Sequence, residues 1–213
     1  MRGMHRPADI EALRIPGPVG GLEAVLELPH ADAGRAIAVV CHPHPLHQGT
    51  MHNKVVHTLA RAALAQGAPA LRFNFRGVGR SAGMHDDGVG EVDDALAACA
   101  WLRARQPRAE LWLLGFSFGA LVALRAATAA GAAKLVTVAP AVTRAGVALP
   151  EAPRMPWLLV QGLADELVDP QAVREWAATR APAPQLVELD GVSHFFHGHL
   201  HELRDAVGAF LAC

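Results

Sequence analysis

Apolar residues follow two alternating rhythms along this chain. Short runs rich in leucine and β-branched residues, Leu22 to Leu28, Ile37 to Cys41, Ala70 to Phe75, Leu111 to Leu114, Leu135 to Val138, Trp157 to Val160 and Leu186 to Leu189, have the length and continuity of strands. Between them, apolar positions recur every three or four residues. Val55, Val56, Leu59, Ala60, Ala63 and Leu64 predict a helix ended near Gly67, and Val92, Ala95, Leu96, Cys99 and Leu102 a helix that stops before Pro107. A third helix follows Ser117 and runs to about Ala130. A fourth opens at Asp169-Pro170, with aspartate as the cap and proline in the first helical position. Leu200, Leu203, Val207, Phe210 and Leu211 form the inner stripe of a closing helix.

Strands that alternate with helices in this way build a mostly parallel sheet covered on both faces, an α/β fold. Arg76 to Gly90 reads as a long glycine-rich loop. The Pro- and Ala-rich connection from Ala139 to Pro156 is too short to form a separate lid domain. No internal repeat, linker or low-complexity segment interrupts the pattern, so residues 1–213 are expected to form one domain.

Composition narrows the function classes. With 52% hydrophobic and 18% charged residues the chain has a globular composition, and a net charge of −1 gives no reason to expect nucleic acid or an anionic membrane as partner. Charges and prolines occupy the start, where a signal peptide would need an apolar run, and no apolar window is long enough to span a bilayer. Cys41, Cys99 and Cys213 are odd in number and widely spaced, as expected of reduced thiols. These features together point to a cytoplasmic protein. Arginine greatly outnumbers lysine, present only as Lys54 and Lys134, which reflects genome composition more than function.

The candidate chemistry lies in Leu111 to Leu121, LWLLGFSFGAL. A strand ends in Gly115-Phe116-Ser117-Phe118-Gly119 and passes directly into a helix, the G-x-S-x-G pattern of a nucleophile elbow. The glycines leave room for a strained serine whose hydroxyl projects from the sheet edge. A serine hydroxyl needs a histidine as base, itself oriented by a carboxylate, and in a parallel sheet all three must emerge at the carboxyl ends of strands. Asp165 follows the Trp157 strand and His194 follows the Leu186 strand, in the order this architecture requires. Among rivals, Asp169 is a helix cap, Asp190 belongs to a turn with Gly191, and Glu166 leaves the strand end later than Asp165. His197, His199 and His201 fall at the start of the closing helix.

The oxyanion of a tetrahedral intermediate needs two backbone N–H donors. Phe118, directly after the nucleophile, supplies the first. The second is expected from the loop after Cys41, where Pro43 and Pro45 lack an N–H; His44 or Leu46 remains, and His44 is preferred because it comes sooner after the strand. Arg76 and Arg80, in the glycine-rich loop, are candidates to meet a substrate carboxylate; the plainer alternative makes them solvated surface residues.

The blocks CHPHPLHQGTMHNKVV at 41 to 56, FNFRGVGRSAG at 73 to 83, GFSFGA at 115 to 120, GLADELV at 162 to 168 and DGVSHFF at 190 to 196 together resemble a family of small bacterial α/β-hydrolases without a cap domain. Dienelactone-hydrolase-like esterases are its relatives. The resemblance implies the α/β-hydrolase fold, no lid, and a nucleophile, acid and base on Ser117, Asp165 and His194, the residues already selected. It departs in one place: the family usually carries two glycines after HPHPL-x, and this chain has Gln48-Gly49.

The expected activity is hydrolysis of small carboxylic esters through an acyl-enzyme, without a cofactor, at an open and shallow site suited to short acyl groups. Thioesters, lactones, including dienelactones, and peptides use the same triad. A dinucleotide site is suggested by Gly77-Val78-Gly79-Arg80-Ser81-Ala82, but the further glycines up to Gly90 keep this stretch a loop where a helix would have to open. The clusters His42-x-His44 and His197-x-His199-x-His201 lack the H-E-x-x-H arrangement of a zinc enzyme, so no metal is expected. A non-catalytic binding protein on the same fold would usually have lost a triad member.

Overall fold

Ile37, Val39 and Cys41 pack into one apolar cluster and Ala38 and Val40 into another, so the strand they share is buried on both faces. It is β3 (Ala36–Cys41), near the middle of an eight-stranded sheet. The computed structural model describes residues 9–29, 34–142 and 151–213. The other strands are β1 (Asp9–Gly17), β2 (Gly20–Leu28), β4 (Ala70–Phe73), β5 (Glu110–Phe116), β6 (Lys134–Val138), β7 (Trp157–Gly162) and β8 (Gln185–Leu189). They lie side by side in the order β1-β2-β4-β3-β5-β6-β7-β8; β2 is antiparallel to both its neighbours and every pair from β4 to β8 is parallel. This is the α/β-hydrolase fold that the family resemblance implies, and its mostly parallel sheet is the one that the alternation of strands and helices predicts.

Helices α1 (Lys54–Ala65) and α5 (Leu200–Ala212) bury their apolar faces on one side of the sheet. On the other lie α2 (Gly90–Arg105), α3 (Phe118–Ala126) and α4 (Pro170–Ala178). The Asp169 side chain caps α4 through the Gln171 N–H at 3.0 Å, with Pro170 in the first turn. The α3 helix ends at Ala126, a few residues before the expected boundary, and the chain leaves it through a turn closed by Gly131 at φ 62°.

One strand is absent from the sequence reading. β1 sits at the sheet edge, paired among the described residues with β2 alone, and most of its residues are exposed, so it carries little apolar signal.

The strand order fixes where a ligand can sit. After β3 the chain moves to β4 on one side, then crosses back to β5 on the other, so the carboxyl ends of β3 and β5 frame the crevice at which the direction of winding reverses. Loops leaving β7 and β8 emerge at the same end of the sheet.

Candidate active site

Ser117 lies at this crevice, between β5 and α3. It adopts φ 56° and ψ −117°, a conformation rare for any residue but glycine, held by the Ser117 N–H donating to the Val138 carbonyl at 2.8 Å. The flanking glycines are required by contact. A Cβ on Gly115 would overlap the Gly119 carbonyl, and one on Gly119 would overlap the carbonyls of His42 and Cys41. The β5 strand and α3 can meet at so sharp an angle only because both positions lack a side chain.

Two further loops close on the serine. His194 Nε2 is 3.1 Å from Ser117 Oγ, and His194 Nδ1 is 2.8 Å from Asp165 Oδ2. All three residues are buried or nearly so. Burial alone would push the Asp165 carboxyl up. The hydrogen bond from His194 and the backbone N–H groups of Val168 and Leu167 outweigh it and hold the carboxyl below its usual value. Gln161, fully buried on β7, adds a bond from Nε2 to Asp165 Oδ2 at 3.0 Å. An ionised Asp165 accepts at Oδ2, so His194 carries its proton on Nδ1 and presents a bare Nε2 to the serine.

Glu166, set aside in the sequence reading, has a part in this arrangement. Its Oε2 accepts the backbone N–H of His194 at 3.1 Å. Nothing in its position next to Asp165 signals that contact, because the partner is 28 residues away.

The loop after β3 forms the facing wall. His44 caps a single turn of 3-10 helix, Pro45–His47, and lines the same cavity as Ser117 and Phe118. The Leu46 N–H donates to His44 Nδ1 at 3.1 Å and its side chain is exposed. Gln48, where the resembling family carries a glycine, takes the left-handed conformation (φ 60°, ψ 20°) that a glycine would adopt, so the path of the loop is kept. Gly49 cannot be replaced so easily, because a Cβ there would overlap the Pro43 carbonyl.

Both ends of this loop are clamped. At the start, the His42 ring donates from Nδ1 to the Pro43 carbonyl at 2.6 Å and accepts the Phe75 N–H on Nε2 at 3.0 Å. Burial pushes the His42 pKa down to about 3, against the opposing effect of the Pro43 carbonyl, so the ring stays neutral. At the end, the Met51 N–H donates to Asn74 Oδ1 at 2.9 Å, and the Met51 carbonyl accepts from Arg72, which is itself paired with Glu27 in the interior.

Arg76 and Arg80 are placed elsewhere, and neither lines the Ser117 cavity. Arg76 is buried and donates from Nε and Nη2 to the two oxygens of Asp94 at 3.0 and 2.8 Å. Its side chain locks the glycine-rich loop onto α2. Arg80 extends along the surface to Glu23 at 2.9 Å. Both expectations of a substrate contact are therefore corrected: each guanidinium is committed to a carboxylate of the chain itself. No helix opens within the Gly77 to Ala82 motif; the next one begins at Gly90.

The cavity has a volume of about 730 Å³. That is the size of a site for a drug-sized molecule. Its lining includes the polar His44, His47, Gln48 and Asn53 and the apolar Ala141, Leu167, Val168 and Phe195. Residues 143–150, part of the connection after β6, lie outside the described residues.

Fold and site together define an α/β-hydrolase with a serine at its nucleophile elbow. Residues 34–154 match the hydrolase family described as serine aminopeptidase, S33, and the chain belongs to that family. It is also 34% identical over 208 residues to an uncharacterised protein of Rickettsia prowazekii, covering 92% of this chain and 86% of that one. An α/β serine hydrolase without a lid from Xanthomonas campestris superposes with a TM-score of 0.90 at 44% identity, over 97% of this chain and 95% of the other. An α/β serine hydrolase homologue from Coxiella burnetii gives the same TM-score at 43% identity, over 95% and 97%. The chain is a serine hydrolase of the small, lidless α/β class.

Proposed function

We propose that the protein hydrolyses carboxylic esters through an acyl-enzyme, with Ser117 as nucleophile, His194 as base and Asp165 as the group that orients it. The observation that carries this reading is the continuous chain of contacts from Asp165 through His194 to Ser117. His194 Nε2 takes the proton as Ser117 Oγ attacks the ester carbon, and the backbone N–H groups of Phe118 and His44 receive the negative charge that develops on the carbonyl oxygen. The imidazolium returns its proton to the leaving alkoxide. Water, activated by the same nitrogen, then releases the acid.

Esters are preferred over peptides because, among the described residues that line the cavity, none is a carboxylate that could receive an α-ammonium group. Lactones bearing a carboxylate, the dienelactone type, are disfavoured because Arg76 and Arg80 are engaged elsewhere. Thioesters remain within the reach of the same chemistry. No cofactor enters any step. A cytoplasmic location is supported by the free, buried thiols of Cys41 and Cys99. Among the described residues no helix is long and apolar enough to cross a membrane.

Matched p-nitrophenyl esters, acyl thioesters and amino-acid anilides, assayed side by side, test the substrate class. The expected result is highest kcat/KM on the esters. Faster cleavage of the anilides would overturn the ester reading while leaving the triad in place.

A further inference from the structure

In the triad chemistry the leaving group must lie next to His194 Nε2, since that nitrogen returns the proton. Part of the cavity that this residue lines is apolar. Leu167 and Phe195 line the cavity together with His194 and Ser117, yet are 61% and 36% exposed; Val168, which lines it too, is buried. Exposed apolar side chains are ordinary when scattered singly. These two line one cavity together with the nucleophile and the base.

The backbone holds both in place. The Leu167 and Val168 N–H groups donate to Asp165 Oδ1 at 2.9 and 2.8 Å, so the carboxylate that orients the base also fixes the loop that displays Leu167. On the other loop two successive phenylalanines have opposite fates. Phe196 is fully buried at φ 54°, a left-handed conformation costly for an aromatic residue. Its burial leaves Phe195 at the mouth of the site, 5.1 Å from the His194 ring and nearly perpendicular to it, with His197 stacked on it at 6.0 Å. Strain of this kind beside a reactive group marks a position the fold maintains for a purpose.

We propose that Leu167, Val168 and Phe195 form the leaving-group subsite, and that it takes an apolar alkyl or arylalkyl alcohol. This inference rests on the triad reading above. When the tetrahedral intermediate collapses, the bond between the carbonyl carbon and the alcohol oxygen breaks, that oxygen takes the Nε2 proton, and the acyl group stays on Ser117 Oγ. The alcohol's hydrocarbon then covers Leu167 and the face of Phe195. Specificity is thus exerted mainly on the alcohol half of the ester.

The test is a series with one acyl group and varied alcohols of similar acidity: methyl, butyl and 2-phenylethyl acetate, followed by titration of released acid. Wild type, Leu167→Ser, Phe195→Ser, Ile10→Ser and Ser117→Ala are compared. In wild type kcat/KM should rise by about tenfold or more from methyl to 2-phenylethyl acetate. The ratio of those two values within each variant should fall toward one in Leu167→Ser and Phe195→Ser. It should persist in Ile10→Ser, which removes an equally exposed side chain on the distant β1 edge. A flat series in wild type, or an unchanged ratio in both subsite variants, overturns the subsite. Hydrolysis persisting in Ser117→Ala would overturn the triad reading and the subsite with it, whereas a flat series abolished in that variant overturns the subsite alone.

Discussion

Glu166 Oε2 accepts the backbone N–H of His194 at 3.1 Å and so ties the loop bearing the base to the loop bearing the acid. The contact fixes the main chain of the base, while Asp165 fixes its ring. Removing it should let the imidazole drift without touching the ground-state binding surface. Glu166→Ala is expected to lower kcat by about tenfold, the loss of one charge-assisted hydrogen bond, with little change in KM. Glu166→Gln retains an acceptor oxygen and should recover most of the rate. Steady-state kinetics on the two variants check this.

Asp165→Asn keeps the shape of the acid and removes its charge. The carboxamide can donate to His194 Nδ1 and favour the wrong tautomer, leaving Nε2 unable to accept the serine proton. We expect kcat to fall by about 10³–10⁴-fold with an unchanged circular dichroism spectrum.

Gly119→Ala tests the packing that lets α3 approach β3. The added Cβ would sit 2.5 Å from the Cys41 carbonyl, and backbone there cannot give way cheaply. Overpacking of this kind should cost about 1–3 kcal/mol, read as a lower urea midpoint with an unchanged slope.

His42 should make the protein sensitive to mild acid. Its ring is neutral in the folded chain because burial pushes its pKa from 6.5 to about 3. In the unfolded chain it binds a proton near pH 6.5, so its contribution to stability is complete above that value and is lost as pH falls toward 3. Between pH 6.5 and 5 this amounts to about 2 kcal/mol. Asp165, whose pKa is lowered, acts in a different window: its contribution fades only below the ordinary carboxylate range. Urea unfolding at pH 7 and pH 5 should therefore show a smaller shift for His42→Gln than for wild type.

The sequence is most legible where structure and chemistry are local. The elbow is a strand, a turn and a helix within eleven residues, and the glycines that permit it are two residues from the serine they serve. Asp165 and His194 can be placed because parallel strands deliver the loop that follows each strand to one end of the sheet, so position after a strand is enough. Partnerships across long separations leave no such trace. Arg76 could not be assigned to Asp94 from the glycine-rich loop alone, nor Arg80 to Glu23. His42 reads as one of several histidines until its ring is seen bridging Pro43 and Phe75. β1 escaped because an edge strand facing water needs no apolar alternation. Phe195 and Phe196 are indistinguishable as letters; the left-handed backbone at Phe196 separates them.

The claim on which the rest depends is that Ser117 is an activated nucleophile. Incubation of the protein with a fluorophosphonate, followed by mass spectrometry of the digested chain, tests it most directly. One adduct is expected, on the peptide containing Ser117, with its disappearance in Ser117→Ala and strong slowing in His194→Ala. Absence of labelling in folded wild-type protein, or an adduct on another residue that survives Ser117→Ala, would contradict it.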